Sequence, residues 1–463
     1  MANIIFGTDG WRAVIDKDFT LENVKRITFA IAKYCYDNFG KKKKILIGYD
    51  PRYNADKYAC FSAEILSLLG FNIILSSQII ATPVLAYAAK HYNANAIMFT
   101  ASHNPAEYLG MKFIPDYAGP ATEEITKEIV SNIDKNINKY KIHPKSYIKQ
   151  SFDNIYIKHL KSIIDFKNIH KSKIKINYDG MHGAASELFV RILKENQIGY
   201  NAFNLNPDDT FGGKMPDPKE KYLQELKTVS KKTNKIGLSN DGDGDRFGAF
   251  NEEGEFVTAN EIIAILFKHL KENKKHTGKL VKTIGASSML NIIAAKHNTE
   301  LIETKVGFKW VGQAMRENDV IIGGEESGGL SIKDHIPEKD GILANLLILE
   351  AMAYSRKTLK ELQDELHKET GVIFFNDRID IKFDSIDKQE EVIKKFDNIN
   401  SIEKFKIKNK NTIEGIKLYL DDDLSWILVR KSGTEPLLRI YFESDSKDKL
   451  SELKEAALKL SKN

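Results

Sequence analysis

The sequence predicts an α/β protein: three consecutive, similar α/β domains with mixed, mostly parallel sheets, then a C-terminal α+β domain. The 463 residues exceed what one hydrophobic core usually organises. Between residues 40 and 330 the same order of hydrophobic periods (strand, helix, strand, helix, strand) occurs three times. Beyond residue 372 the pattern changes to alternating strands. The predicted domains are 1–148, 149–254, 255–371 and 372–463.

The first and third strands are the clearest elements of each copy. The copies open with strands at 44–50, 173–179 and 279–284 and close with strands at 95–100, 236–239 and 320–322. The elements between them are predicted at 58–69, 71–75 and 83–92, then at 183–196, 200–205 and 221–231, then at 289–297, 300–304 and 308–317. Strands that alternate with amphipathic helices indicate sheets covered on both faces, which bind ligands beyond the carboxyl ends of their strands.

The C-terminal segment predicts strands and one final helix. The strands are expected at 378–383, 416–420, 426–429 and 438–443, and the helix at 447–460. The longest apolar run, 342–349, is much shorter than the ~20 residues that cross a bilayer and predicts a buried helix. The Lys/Asn-rich stretch 132–149 suggests the seam between the first two domains.

Composition excludes several classes of function. With 42% hydrophobic and 29% charged residues the chain resembles ordinary soluble proteins, and its N-terminus lacks the pattern of a secretory signal, so we expect a cytoplasmic protein. The net charge of +5 includes lysine clusters without interleaved aromatics, so we expect neither a nucleic-acid nor a membrane partner. Cys35 and Cys60 fit buried helical positions. The expected assembly is a monomer or a homodimer.

A polar loop directly follows the third strand of every copy. These loops are residues 100–105 (TASHNP), 240–246 (NDGDGDR) and 323–329 (GGEESGG). Their equivalent positions predict that all three lie at the ligand-binding edge of a sheet.

The second loop predicts a cation site. Asp241, Asp243 and Asp245 alternate with glycines, so their carboxylates share one face of an extended segment while the backbone curls. A calcium EF-hand is an alternative, because Glu252 stands at the position of its last ligand, but Arg246 replaces the required glycine. A catalytic Mg²⁺ is preferred over a purely structural ion because three carboxylates leave positions for water and a phosphate oxygen.

Ser102 is a candidate nucleophile in the first loop. It follows a strand and precedes His103-Asn104-Pro105, a turn stiffened by proline that exposes the hydroxyl. The alternative is a turn serine that hydrogen-bonds its own backbone. A phosphoserine would need a cation and basic neighbours, and the aspartate triplet could supply the cation.

Other polar residues extend the candidate site. Arg12 follows a glycine-punctuated turn too early to belong to the first sheet, so its segment either extends across the site or forms a surface turn. Lys112 could bind phosphate or take a proton. In the third loop, glycines flank Glu325, Glu326 and Ser327, whose acceptors suit vicinal sugar hydroxyls, unless the loop is a glycine-rich turn with solvated acids. The stretch 430–436 (RKSGTEP) and Arg439 resemble a phosphate cradle, unless they form a plain hairpin with surface arginines.

These four loops, in this order and one per domain, resemble the α-D-phosphohexomutase superfamily of phosphoglucomutases and phosphomannomutases. The resemblance spans the whole chain. It implies that Ser102 bears the phosphate, that the aspartate triplet and a phosphoserine oxygen bind Mg²⁺, and that Glu325 and Ser327 hold the sugar. It further implies that Arg12, His103, Lys112 and Arg246 surround the transferring group and that Lys309 lies in a substrate-contacting loop. The phosphate that does not react would be held by Arg430, Ser432, Gly433, Thr434 and Arg439. The four domains would surround a central cleft.

The implied reaction interconverts hexose 1-phosphate and hexose 6-phosphate through a bound 1,6-bisphosphate, with glucose 1,6-bisphosphate as activator. Either His103 or Lys112 would serve as general base or acid. Glucose is the preferred sugar and mannose an additional one. Phosphoglucosamine mutases are an alternative, although they commonly have alanine at the position of Gly244 and QSGH at 326–329. A metal-dependent phosphatase and a non-catalytic binding module are further alternatives.

Overall fold

The structure is a computed structural model that describes residues 4–7, 10–135, 144–431 and 436–462. Within these residues, the strands form four sheets that follow one another along the chain. The predicted fold class, α/β with a C-terminal domain built on an antiparallel sheet, is confirmed.

The first domain is built on a six-stranded mixed sheet. Its elements are β1 (Trp11–Val14), α1 (Leu21–Phe39), β2 (Lys44–Tyr49), α2 (Ala55–Leu68), β3 (Asn72–Ser76), α3 (Thr82–Tyr92), β4 (Asn95–Phe99), β5 (Tyr108–Ile114), α4 (Glu123–Ser131) and β6 (Ile148–Gln150). The strand order is β1-β5-β4-β2-β3-β6. Because β6 joins this sheet, the boundary predicted after residue 148 crosses a strand.

Arg12 lies in the first sheet, so the expectation that its segment precedes the sheet is wrong. β1 pairs antiparallel with β5, and Arg12 stands opposite Gly110. A Cβ on Gly110 would approach Trp11 O and Thr100 O to 2.6 Å, so this position needs glycine for β1 to pack here. The edge strand thus reaches the Ser102 loop from within the sheet.

The second domain repeats the arrangement with five strands. Its elements are α5 (Asp153–Ile163), α6 (Phe166–Ser172), β7 (Lys175–Asp179), α7 (Ser186–Glu195), β8 (Gly199–Phe203), α8 (Gln224–Thr233), β9 (Gly237–Asn240), β10 (Phe247–Phe250) and β11 (Phe256–Val257). The strand order is β11-β10-β9-β7-β8.

The third domain has a four-stranded sheet. Its elements are α9 (Ala259–Glu272), β12 (Lys279–Thr283), α10 (Met289–Lys296), β13 (Leu301–Thr304), α11 (Phe308–Glu317), β14 (Val320–Gly324), β15 (Leu330–Ile332), α12 (Gly341–Ser355) and α13 (Leu359–Thr370). The strand order is β13-β12-β14-β15. Thr258 and Thr358 form capping boxes at the starts of α9 and α13.

The three predicted copies of the repeat have the same order of strands in their sheets. In each sheet the copy's first strand lies in the middle, with the second and third strands parallel on either side: β4-β2-β3, β9-β7-β8 and β14-β12-β13. An antiparallel strand, β5, β10 or β15, then pairs with the third strand. Each polar loop is therefore a hairpin connection at the carboxyl end of an equivalent strand.

The fourth domain has an antiparallel sheet. Its elements are β16 (Phe375–Lys382), α14 (Ile386–Asn398), β17 (Ser401–Ile402), β18 (Phe405–Asn411), β19 (Ile416–Leu420), β20 (Trp426–Lys431), β21 (Leu437–Ser444) and α15 (Lys447–Lys462). The sequence pattern did not predict α14, β17 or β18. In α14 and β18, many lysines, asparagines and aspartates leave only a few apolar positions that face the core, and β17 has only two residues.

One hydrophobic cluster is shared by domains I to III, domain I has a second cluster of its own, and domain IV has a separate one. The shared cluster runs from Leu46 to Phe374 and surrounds α12, whose residues 341–353 are all buried, as the apolar run predicted. Domain IV packs around β19, β20 and β21 and meets domain III in a small cluster around Trp426. No helix among the described residues is long and apolar enough to cross a membrane.

Candidate active site

The first two hairpin loops meet across the interface of domains I and II. Ser102 Oγ donates a hydrogen bond to Asp241 Oδ2 at 2.8 Å, although the two residues are 139 positions apart. Ser102 is buried, and its φ of +51° is in the left-handed region, which is strained for a residue with a side chain. His103 Nδ1 lies 3.4 Å from the same hydroxyl.

The three aspartates converge as the sequence predicts. One carboxylate oxygen of each lies within 4.8 Å of the others, and all three side chains are buried. Asp241 Oδ1 accepts a hydrogen bond from Arg246 N, and Asp243 Oδ2 accepts one from Thr82 Oγ1. Burial and the two neighbouring carboxylates raise the pKa of Asp241 well above its ordinary value.

This donor set fits a divalent cation. Among the described residues no hydrogen-bond donor serves Asp243 Oδ1 or Asp245 Oδ1, and buried carboxylate oxygens without donors are costly unless a cation binds them. Glu252 does not contribute: its two oxygens accept hydrogen bonds from Leu359 N and Lys360 N, both at 3.1 Å, and cap α13. The EF-hand alternative is therefore excluded.

Basic side chains surround the pair of loops. Arg12 Nη1 donates to Asn104 Oδ1 at 3.0 Å, and Arg246 Nη1 lies 3.9 Å from Asp217 Oδ1. Lys112, on β5, pairs with Glu338 of domain III at 2.9 Å. Burial, followed by the positive charges of Arg246 and Arg12, lowers the pKa of His103 well below 6.5, so the imidazole is neutral at neutral pH.

The third loop contacts the second. Phe247 N donates to Gly328 O at 3.0 Å, which places Glu325 beside the metal loop. Glu325 is buried, which raises its pKa to about 7, and its Oε1 accepts a hydrogen bond from Gly307 N at 3.0 Å. Ser327 is half-buried in the same loop. Lys309, at the start of α11, pairs with Glu123 of domain I at 2.9 Å.

The fourth predicted loop is described in part. Ser432, Gly433 and Thr434 lie outside the described residues. Arg430 on β20 stands directly opposite Arg439 on β21, so the two guanidinium groups share one face of the sheet. Arg430 is paired with Glu414 and donates to Tyr441 Oη at 3.3 Å.

Several residues of the site were not predicted from the sequence. Lys339 lies 2.9 Å from Asp245 Oδ2, and its neighbour Glu338 pairs with Lys112. Asp50 and Arg52 hold the Ser102 loop. The available signal was position: Asp50-Pro51-Arg52 follows β2 at the same sheet edge as Ser102. Glu338 and Lys339 carried no such signal because they precede a helix rather than follow a parallel strand.

Sequence comparison supplies the family. Domain models of "Phosphoglucomutase/phosphomannomutase" match in the order I, II, III and C-terminal domain, over residues 3–140, 154–254, 258–370 and 381–460. A phosphoglucomutase/phosphomannomutase of Thermococcus kodakarensis is 30% identical over 98% of each chain. This chain belongs to the phosphoglucomutase/phosphomannomutase family. It is therefore a mutase that transfers phosphate intramolecularly.

Two further relatives frame the question of substrate for this phosphohexomutase. A phosphoglucosamine mutase of Dictyoglomus turgidum is 31% identical over 97% of this chain and 96% of its own. A crystal structure reported as a putative phosphomannomutase from Thermus thermophilus superposes with a TM-score of 0.88 at 29% identity, covering 100% of both chains. Relatives named for three sugars thus match about equally well, and the family leaves the sugar open.

Proposed function

We propose that this phosphohexomutase interconverts hexose 1-phosphate and hexose 6-phosphate, with glucose phosphates preferred and mannose phosphates accepted, through phosphorylated Ser102. The contact that supports this proposal is the 2.8 Å hydrogen bond between Ser102 Oγ and Asp241. A nucleophile that shares a carboxylate with a cation site is the arrangement that phosphoryl transfer needs.

Mg²⁺ is the proposed metal, held by Asp241, Asp243, Asp245 and an oxygen of phosphorylated Ser102. When bound, the ion would neutralise charge that develops on the phosphoryl oxygens. The chain supplies three oxygen ligands from one loop, curled at Gly244, whose φ is +76°. Glucose 1,6-bisphosphate is the proposed activator that first phosphorylates Ser102.

The side chains around Ser102 have different roles in phosphoryl transfer. In the first transfer a sugar hydroxyl attacks the phosphorus on Ser102, the bond from phosphorus to Ser102 Oγ breaks, and the hydroxyl proton must leave. In the second transfer Ser102 Oγ attacks the other phosphate of the 1,6-bisphosphate, the bond from that phosphorus to the sugar oxygen breaks, and the sugar oxygen takes up a proton. The neutral imidazole of His103 is suited to accept a proton. Lys112 is paired with Glu338 and is better suited to hold a phosphoryl oxygen as a cation. Arg12 and Arg246 would bind the remaining oxygens.

The sugar and its second phosphate would be held by domains III and IV. Glu325, Ser327 and Lys309 are the proposed sugar contacts. Arg430, Ser432, Gly433, Thr434 and Arg439 are the proposed contacts of the phosphate that does not react. The separate core of domain IV supports a movement of that domain while the 1,6-bisphosphate turns over within the site.

Gly244 favours a glucose phosphate over a glucosamine phosphate. Gly244 has a positive φ, and a Cβ there would lie 2.9 Å from Ala185 Cβ and 3.0 Å from Ala81 Cβ. A Cβ on Gly329 would lie 2.4 Å from Lys339 Cδ. The alanine common in phosphoglucosamine mutases at position 244 does not fit this packing, whereas the contact at Gly329 involves the flexible side chain of Lys339. The similarity to the Dictyoglomus enzyme keeps phosphoglucosamine mutase as the second candidate.

Intact-mass measurement and isomerisation assays test the proposal together. Wild type incubated with glucose 1,6-bisphosphate should gain one phosphate, and it should isomerise glucose phosphates faster than mannose or glucosamine phosphates. Ser102→Ala should lose both properties, while Ser162→Ala, at an exposed helical serine, should keep them. Full turnover by Ser102→Ala would refute the mechanism, and release of inorganic phosphate without isomer would indicate a phosphatase.

A cytoplasmic location and an assembly as monomer or homodimer stay predictions.

A further inference from the structure

Three backbone carbonyls of the Ser102 loop (residues 100–105) and that of Tyr108, where β5 begins, converge on one buried guanidinium. Arg52 Nη2 donates to Ser102 O at 2.6 Å and to Asn104 O at 2.7 Å. Arg52 Nη1 donates to Pro105 O at 2.6 Å and to Tyr108 O at 2.9 Å. The side chain of Arg52 is fully buried. Converging carbonyls expose negative dipole ends to one another, so this loop conformation needs a cation at its centre.

The guanidinium is itself fixed from the opposite side. Arg52 Nε donates to Asp50 Oδ2 at 3.1 Å. The same oxygen accepts a hydrogen bond from Thr100 Oγ1 at 2.6 Å, and Thr100 Oγ1 accepts one from Ser102 N at 2.8 Å. Both backbone polar groups of Ser102 are therefore tied to the Asp50–Arg52 pair. This holds Ser102 at its strained φ of +51°.

Domain II covers the clamp, which we define as Arg52 and the four carbonyls that it binds. The ring of Phe211 lies 4.8 Å from Arg52 Cζ. A Cβ on Gly242 would stand 2.7 Å from Ser102 O and 3.2 Å from the Phe211 ring, so the metal loop approaches the clamped carbonyl as closely as glycine allows. The clamp thus sets the distance between the Ser102 loop and the metal loop.

We propose that Arg52 is a positioning residue for phosphoryl transfer: its guanidinium clamps the carbonyls of the Ser102 loop and thereby holds Ser102 Oγ in front of the aspartate triplet. This role rests on the proposed function, since it matters only if Ser102 carries phosphate. Arg52 does not touch the reacting atoms. Lysine cannot replace it, because one ammonium has three donors and no planar fork to reach four carbonyls and a carboxylate.

Arg52→Lys tests this role with two readouts. A displaced nucleophile should lower kcat about 10- to 100-fold, because misplacement of reacting groups is costly. The KM for glucose 1-phosphate should change by less than about threefold, because Arg52 makes no substrate contact. Hydrogen exchange measured by mass spectrometry should increase in peptides covering residues 101–108 and stay unchanged in α13.

Lys274→Met is the matched control. Lys274 pairs with the buried Glu350 at 2.9 Å and donates to Ile163 O, away from the site, so this variant loses a cation held in a similar way. It should lower the thermal midpoint while kcat and exchange in the Ser102 loop stay as in wild type. If Arg52→Lys does not fold, Thr100→Val, which cuts the link to Ser102 N, should show the same two changes.

The outcomes separate the two proposals. Unchanged exchange at residues 101–108, or increased exchange with an unchanged kcat, would overturn the role of Arg52. Wild type that never takes phosphate on Ser102 would overturn the proposed function, and the role of Arg52 with it. Phosphate incorporation into Ser102 is therefore measured on the wild type first.

Discussion

Replacing Asp243 with asparagine should stabilise the metal-free protein while abolishing its response to Mg²⁺. Asp243 faces two carboxylates, with ligand atoms within 4.8 Å of one another. Two unit charges at that separation repel by about 3.5 kcal/mol at an effective dielectric constant of 20, so its two pairs carry at most about 7 kcal/mol, and the raised pKa of Asp241 reduces this further. An asparagine amide can accept from Thr82 and donate to the neighbouring carboxylates.

The net gain should be smaller than this repulsion. Lys339 and Arg246 already offset part of the charge on Asp245. We expect a gain of about 2 kcal/mol, which would raise the thermal midpoint of a cooperative unit as large as domains I to III by about 2–3 °C. The assay is thermal unfolding of wild type and Asp243→Asn in EDTA and in excess MgCl₂, with mutase activity measured alongside.

The decisive result is a variant that is more stable than wild type in EDTA but gains no stability from Mg²⁺. In MgCl₂ the wild type should gain stability by binding the ion, while the variant should gain none and have lost mutase activity. Asp364→Asn, an exposed carboxylate on α13, should change stability by less than about 0.5 kcal/mol in either buffer. A variant that is less stable in EDTA, or that keeps the full Mg²⁺ response, would refute a repulsive, metal-binding triplet.

Three further perturbations test other parts of the structure. Burial lowers the pKa of Lys417 to about 7, so the unfolded chain binds more protons between pH 7 and 10.5 and stability should rise with pH there, by at most about 1.4 kcal/mol per unit. Lys417→Met should remove this rise; a wild-type stability that falls over the same range would contradict it. Gly341→Ala should cost about 1–3 kcal/mol and reduce activity, since its Cβ would lie 2.1 Å from Arg246 O. Gly371→Ala meets no atom within 4 Å and should leave activity intact, so equal activity losses would argue against the close contact. In unphosphorylated, metal-free protein the NMR shift of the His103 ring, assigned with His103→Gln, should stay constant through pH 6.5; a titration there would contradict a neutral buried imidazole.

From the sequence alone one could predict the repeated succession of strands and helices along the chain and the positions of the three described polar loops. Each strand's hydrophobic period is local, and the polar residues that follow a parallel strand lie at its ligand-binding edge. Ser102 and Asp241 could therefore be predicted as candidates without coordinates. The antiparallel strands β5, β10 and β15 were less visible, because β5 and β10 follow their loops with few polar residues to mark an alternating pattern.

Which charged side chains form ion pairs became clear only from the tertiary structure. Two ion pairs join domains I and III: Lys112 with Glu338, and Lys309 with Glu123. The partners lie far apart in the sequence, so no local spacing predicts either pair. Arg12 was misplaced because a four-residue edge strand gains its stability from pairing with β5 rather than from its own pattern. The burial that raises the pKa of Glu325 and lowers that of His103 likewise arises from neighbouring domains, since desolvation depends on what packs around a side chain and not on its place in the chain.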